Sequence, residues 1–404
     1  MGSQGIRGPA YRLVYGNTKE ILSLRNQIWI SPMGLSHDIL PRILPHICSW
    51  TKQYGMNFLT WYGSRAQLVI TQPELIKEIL SNSDGTYPKV QAPGFLRKIL
   101  GYDPSDGCKC GDYVKKMETQ RGQGDRGLFR ILVLWLSCQL KVYERSGIRD
   151  SIIKMMKTRE EKALKGESEG YGNDYFGLLL KAYHDPDMTK RISLDVLIDE
   201  CKTFYIAGHE TTTKLLTWTI LLLATHTDWQ EKLREEVLEL FGQKNPAPDG
   251  IGKLKTMSMV INESLRLYPP AVNISRNVER EVRLGKYILP ANMELVIPIL
   301  AIHHDPQIWG EDVDLFKPER FADGVAKASN NTPAAFLPFS SGPRICVGLN
   351  FAATEAKIAL SMILQRYRFN LSPSYVHSPV LVVTLRPQHG LQVIFQPLSV
   401  NQRN

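Results

Sequence analysis

Long apolar runs, an apolar leader and paired cysteines are scarce or absent in this chain of 404 residues. No stretch reaches the ~20 consecutive apolar residues that span a bilayer. The longest candidates, Leu128–Leu136 (broken by Arg130) and Leu215–Ala224, read as buried helix. Met1–Arg12 has no apolar block, so no signal peptide is expected. The six cysteines (Cys48, Cys108, Cys110, Cys138, Cys201 and Cys346) are scattered, which argues against a disulfide framework and fits a reducing compartment. Cys108 and Cys110 form a C-x-C, but no second pair or nearby histidine completes a zinc set. Internal repeats and low-complexity segments are also missing.

What is present is a basic globular composition. Lys and Arg number 49 against 40 Asp and Glu, a net +9, and 43% of residues are apolar, enough for a sizeable core. Residues 1–100 hold 11 basic and 5 acidic residues, so +6 of the excess lies there. Such a surface can face nucleic acid, an anionic membrane or an acidic protein. No basic stripe with interleaved aromatics and no finger or helix-turn-helix spacing occurs, so no nucleic-acid partner is expected.

One domain is expected over residues 1–404, in three stretches. Residues 1–100 read as mixed β and α. Phe58–Thr71 alternates around Gly63 as a hairpin would, and Pro73 opens a helix through Leu80 with Glu74 in its first turn. Residues 101–144 are Gly-, Lys- and Asp-rich as far as Asp125 and then abruptly apolar, an anomalous insert or junction. Residues 145–404 are helix-rich. Ser193 is a candidate N-cap for a long helix to about Thr225, Asp228–Phe241 is amphipathic and stops at Gly242, and Met257–Leu267 stops at Pro269-Pro270. Short β-like runs fill Arg276–Pro298, a last long helix starts near Cys346, and Leu381–Phe395 is strand-like. The fold class is therefore mainly α with small β-sheets, an α+β architecture.

The segment Phe339-Ser-Ser-Gly342-Pro-Arg344-Ile-Cys346-Val-Gly348 has the form F-x-x-G-x-R-x-C-x-G. It resembles the signature around the haem-ligating cysteine of cytochromes P450. The chemistry of the residues agrees. Cys346 lies where a loop enters a helix, and a helix N-terminus with free backbone N–H groups favours a thiolate. Gly342 permits a tight turn, Gly348 leaves room for a flat macrocycle, and the planar fork of Arg344 suits a propionate carboxylate. The alternative is a buried structural cysteine after a Gly-rich turn.

Other motifs follow the same family's order. In Ala207-Gly208-His209-Glu210-Thr211-Thr212 the resemblance implies a distorted central helix over the haem, with Glu210 and Thr211 relaying protons to bound oxygen. Otherwise they are an ordinary exposed pair. Glu263 and Arg266 share a helix face. Together with Arg320 of Pro318-Glu-Arg-Phe321, the resemblance makes them a buried structural network. Arg276 falls where the family often places another propionate-binding arginine, and Ala271–Ile274 would face substrate. From Ile148 onward the chain resembles a plant microsomal P450, of the clan holding secologanin synthase and brassinosteroid-inactivating hydroxylases. Residues 1–100 resemble that clan's N-terminal portion, starting at the Gly5-Ile-Arg-Gly-Pro9 hinge.

Two departures stand out. The apolar anchor that precedes the hinge in the family is missing, and so is the run of helices that opens with a haem-contacting W-x-x-x-R. The sequence therefore reads as a P450 fold lacking part of its N-terminal-half helices. Trp61-Tyr-Gly-Ser-Arg65 fits W-x-x-x-R but lies in the hairpin region, so it is not expected to serve. The resemblance implies a haem b monooxygenase that inserts one atom of O2 into a small apolar molecule (terpenoid, steroid or fatty-acid-like). Cys346 would be the iron ligand, and Arg344, Arg276, Phe339, Gly342 and Gly348 would surround the haem. It also implies electrons from NADPH-cytochrome P450 reductase, a monomer, and the cytosolic face of the endoplasmic reticulum membrane, or a cytosolic or peripheral state without the anchor. The rivals are a catalytically inactive remnant, a P450 lyase or isomerase, and a basic binding module without haem.

Overall fold

The alternation of Asn57–Tyr62 and Arg65–Ile70 around a Gly63 turn is built as two antiparallel strands, β1 (Asn57–Tyr62) and β2 (Arg65–Ile70), with Asn57 opposite Ile70 and Tyr62 opposite Arg65. The computed structural model describes residues 2–29, 32–82, 84–90 and 145–398. Residues 101–144, with the Cys108–Cys110 pair, Cys138 and the Leu128–Leu136 run, lie outside the described residues. Helices α1 (Thr18–Trp29) and α2 (Pro45–Tyr54) precede the hairpin, and α3 (Pro73–Ser81) follows it.

Strands β3 (Ile274–Asn277), β4 (Val282–Leu284), β5 (Tyr287–Leu289) and β6 (Glu294–Ile297) come much later in the chain. The main sheet has the order β1-β2-β6-β3, with β2 and β6 parallel and β3 antiparallel to β6. Three small two-stranded sheets complete the β structure. They are β4 with β5, β7 (Tyr367–Leu371) with β10 (Val393–Pro397), and β8 (Pro379–Leu381) with β9 (Leu385–Pro387). The run Leu381–Phe395 is thus cut into separate strands, because Val382-Val383 turn one hairpin and Gln388–Gly390 leave it.

The longer helices are α4 (Arg145–Leu164), α5 (Tyr175–Tyr183), α6 (Leu194–Thr225), α7 (Thr227–Phe241), α8 (Lys255–Leu267) and α9 (Leu349–Leu364). They give the mainly helical α+β character expected of the sequence. The helix after Cys346 starts three residues later than the cysteine, with Gly348 as its N-cap. The distortion implied at Gly208 does not interrupt α6, which is α-helical over Leu194–Thr225. Among the described residues, no atom beyond the helix's own backbone and the flanking residues lies within 4 Å of where a Gly208 Cβ would be.

The chain divides into two compact units, residues up to 90 with those from 210 on, and residues 91–209. In the first, Trp218 of α6 stacks on Tyr268 at 4.2 Å, and both are buried among Leu222, Leu265, Leu360 and Phe369. The Trp218 indole N–H donates to the Leu385 carbonyl at 3.0 Å. A second apolar cluster packs against the main sheet, with Leu68, Ile70, Ile76, Ile79, Leu295 and Ile297 all buried. Arg42 is buried beside α2, donating to Pro379 O at 2.8 Å and Ser378 Oγ at 2.7 Å. The second unit has its own core of Ile152, Met156, Leu179, Leu180, Leu197 and Ile198. Ser193 Oγ caps α6 by accepting from Val196 N–H at 3.3 Å.

Candidate functional site

The Phe339–Gly348 loop owes its shape to its backbone. Ser340 and Gly342 both adopt positive φ, and Gly342–Arg344 form a single 3-10 turn. The Cys346 N–H donates back to Phe339 O at 2.8 Å and closes the loop. A Cβ at Gly342 would collide with the Leu80 carbonyl at the end of α3, so glycine is required there by position as well as by φ. Phe339 packs its ring on the main core. The loop thus turns Cys346 outward, with Ile345, Val347 and Phe351 exposed around it.

Burial of the sulfur pushes the Cys346 thiol above its ordinary value, opposed by the Gly348 N–H and the Lys89 ammonium. The sequence reading expected the opposite balance. Yet the residue as a whole is exposed, so desolvation is incomplete, and the two opposing contributions are the kind that favour a thiolate. Lys89 was missed because it arrives through a β-bridge to Arg276, a pairing no local pattern announces.

Three features bear on whether a haem fits. A Cβ added at Gly348 would meet only Cys346 Sγ, at 3.9 Å, so the protein's own packing does not demand glycine and the space beside the sulfur is open. Arg276 is buried, with one amino group on Ser275 O at 3.0 Å and its Nε without a partner. Burial and then the neighbouring Arg344 charge lower the Arg276 pKa, so the two guanidinium groups sense each other. Neither forms an ion pair with a carboxylate among the described residues. A buried, unpaired cation is costly, and a ligand bearing carboxylates would relieve it. Cys346, Gly348, Arg276 and Arg344 therefore fit a flat, propionate-bearing macrocycle with a thiolate-seeking metal.

The acid–alcohol pair is held differently from the sequence reading. Glu210 accepts a hydrogen bond from Thr384 at 2.7 Å and pairs with Lys214 at 3.3 Å. Burial pushes its carboxyl up, but Thr384, Lys214 and Arg386 outweigh it and hold the pKa below the ordinary carboxylate value. Thr211 is half-buried beside it. The next residue, Thr212, hydrogen-bonds Glu355 of α9, which ties this part of α6 to the helix that the Cys346 loop feeds. The i, i+4 spacing of Glu210 and Lys214 was a readable signal. Thr384 and Arg386 were not, since they come from a hairpin far along the chain.

Glu263 and Arg266 form a two-pronged pair at 2.8 Å per prong, both side chains fully buried. Arg320 approaches Glu263 at 3.6 Å and bonds Trp309 O and Asp312. Arg266 also donates to the His303 and Leu315 carbonyls, and the Lys317 N–H donates to Glu263. The Glu263 and Arg266 prongs are all satisfied inside the protein, while Arg320 Nε has no hydrogen-bond partner. Trp61 sits in β1 against Tyr11, at 4.8 Å between rings, and Arg65 is exposed at the hairpin turn. Neither joins the cysteine loop.

A family model described as Cytochrome P450 matches residues 109–395. The chain is 45% identical to cytochrome P450 CYP749A22 of Panax ginseng over 474 aligned positions, covering 98% of this chain and 90% of that protein. It is 36% identical to cytochrome P450 709B1 of Arabidopsis thaliana, covering 98% and 92%. With secologanin synthase 2 of Catharanthus roseus it shares 33% identity, covering 98% and 91%. The 474 positions aligned to the ginseng protein exceed the 404 residues here, so at least 70 of them have no counterpart in this chain.

Proposed function

The chain belongs to the cytochrome P450 family of haem-dependent monooxygenases, and from that premise we propose that Cys346 is its iron ligand. The observation that carries this is the outward-turned Cys346 between two glycines, with the exposed Arg344 and a buried Arg276, which forms no ion pair among the described residues, at its side. Bound haem b supplies the redox chemistry by which one atom of O2 enters a small molecule. The chain's own residues bind, orient and move protons. Gly348 N–H and Lys89 favour the thiolate form of Cys346, while Arg276 and Arg344 take the propionates. Phe339 and Gly342 hold the loop in place. Glu210 passes a proton at its carboxylate oxygen when Thr384 or Lys214 yields its bond, and Thr211 carries it onward as an alcohol.

The substrate is an apolar small molecule of terpenoid, steroid or fatty-acid-like chemistry. Val382 and Val383 are exposed at the turn between β8 and β9, next to the Thr384 that grips Glu210. An apolar surface beside the proton-carrying carboxylate favours that class. One relative is named for the synthesis of secologanin. Family members take electrons from a separate reductase, and NADPH-cytochrome P450 reductase is the proposed donor, with the basic excess matching an acidic surface. We place the enzyme at the cytosolic face of the endoplasmic reticulum membrane as a monomer. Among the described residues no helix is long and apolar enough to cross a membrane.

A second reading, an inactive shortened descendant, is favoured by the aligned positions that this chain lacks and by the absence of a usable W-x-x-x-R. One measurement separates the two. The reduced, carbon-monoxide-bound chain should show the red-shifted Soret band of thiolate-ligated haem, and Cys346→Ser should lose it. A parent chain without the band favours the shortened descendant, and a Cys346→Ser chain that keeps it removes Cys346 as ligand.

A further inference from the structure

Asp38, His304 and Asp314 come from three separate segments of the first unit. Asp38 precedes the short helix Leu40–Ile43, His304 caps the short helix Ile299–His303, and Asp314 lies before the turn Pro318–Phe321. One donor atom from each lies within 4.8 Å of the other two. His304 is buried, Asp314 half-buried and Asp38 exposed, so the group has a floor in the core and a mouth at the surface.

The hydrogen bonds define what the group lacks. His304 Nε2 is 3.1 Å from the Leu267 carbonyl, which only accepts, so Nε2 carries the ring proton. Nδ1 faces Asp314 Oδ1 at 3.3 Å, and a carboxylate oxygen also only accepts, so a second ring proton or a metal ion has to lie between them. With Asp38 this gathers two carboxylates and one ring nitrogen around a single point. Apart from His304, no cationic side chain forms an ion pair with Asp38 or Asp314 among the described residues. Asp314 disfavours the charge on Asp38, while His304, Arg266 and His37 favour the charge on Asp314, so positive charge is already drawn to this point.

We propose that Asp38, His304 and Asp314 bind a divalent transition metal, with zinc the best match. One imidazole and two carboxylates are borderline donors suited to zinc, whereas calcium and magnesium prefer all-oxygen sets. A ligating histidine that gives its second N–H to a backbone carbonyl is the usual outer-shell arrangement, and Leu267 provides it. Two ligands at ~2.0–2.1 Å on a tetrahedral ion lie about 3.3 Å apart, the separation of His304 Nδ1 from Asp314 Oδ1. Asp38, being exposed, swings in as third ligand, and water takes the fourth position. The metal would clip the segment before Leu40 to the loop that carries the Arg266 partners.

The test is a zinc chloride titration, by calorimetry, of the full chain stripped with a chelator, beside Asp38→Asn, Asp314→Asn and His304→Gln. All four proteins keep the same cysteines, so thiol binding is common to them. The parent should take one zinc per chain beyond that background and gain thermal stability from it. Each aspartate variant should bind about tenfold more weakly or worse. Equal binding by parent and aspartate variants would put the metal elsewhere and overturn the proposal. So would no binding by a parent with native circular dichroism, which leaves a proton on His304 as the cation. The aspartate variants alter surface-reaching side chains and decide the matter even if His304→Gln fails to fold.

Discussion

Arg276 is a buried guanidinium with an unpartnered Nε and a second cation, Arg344, beside it. That arrangement is unfavourable for the protein alone and useful for an anion. Arg276→Leu should therefore leave the haem-free chain at least as stable as the parent, while weakening haem retention about tenfold or more. Thermal melting of the apoprotein and haem transfer to an acceptor globin read the two halves separately. A parallel loss of both would make Arg276 merely structural. Histidines set an acid limit in the same unit. Burial lowers His46 and His377 to about 4, from 6.5. The unfolded chain then binds more protons than the folded one between those values. Stability is full above about pH 6.5 and falls on acidification toward pH 4, with a slope of up to ~1.4 kcal/mol per pH unit for each histidine. Urea midpoints at pH 7.5, 6 and 5 should decrease in that order. Residue-scale features were legible where they were local. The glycines and arginine around Cys346 announced themselves within ten positions, but Lys89 and Thr384 did not, because nothing in their own neighbourhoods marks them.

At the scale of elements, the turn between β8 and β9 holds Glu210 of α6 through the Thr384 hydroxyl. Thr384→Val removes the 2.7 Å bond to Glu210 and lets burial move its carboxyl upward. The ratio of product formed to NADPH consumed should fall, and its acidic limb should shift to higher pH. An unchanged profile would mean that Glu210 does not carry the proton. The elements themselves were largely readable. Ser193, Pro73, Gly242 and the proline pair after Leu267 mark helix ends by chemistry that acts within a turn. Helices α1 and α2 fall in the stretch whose sequence reads only as mixed β and α. The distortion implied at Gly208 comes from resemblance alone, and no break in α6 marks it.

At the scale of the whole molecule, what the sequence concealed is pairing between distant segments. β2 joins β6 in parallel, although more than two hundred residues separate them, and no periodicity in either strand names its partner. The Glu263–Arg266 pair shows the same division. Its i, i+3 spacing was visible, but the buried carbonyls of His303 and Leu315 and the Lys317 N–H that complete it were not. Glu263→Ala would leave Arg266 fully buried without its counter-charge, at a cost of about 3–5 kcal/mol. Soluble yield and the urea midpoint should collapse, whereas loss of haem alone with a normal midpoint would contradict a structural task.

Arg42 adds a dimension of time. Its buried guanidinium rests on Pro379 O and Ser378 Oγ, 336 residues downstream at the nearer. At ~5–20 residues per second, a ribosome needs roughly 20–70 s to deliver those acceptors after Arg42 has emerged. For that interval the nascent chain holds a cation whose two downstream acceptors do not yet exist, so the segment around α2 stays solvated or is held by a chaperone. The last tenth of the protein is then what allows the first tenth to close, and translation that stops before residue 378 should yield a chain marked for degradation however much of its centre has already folded.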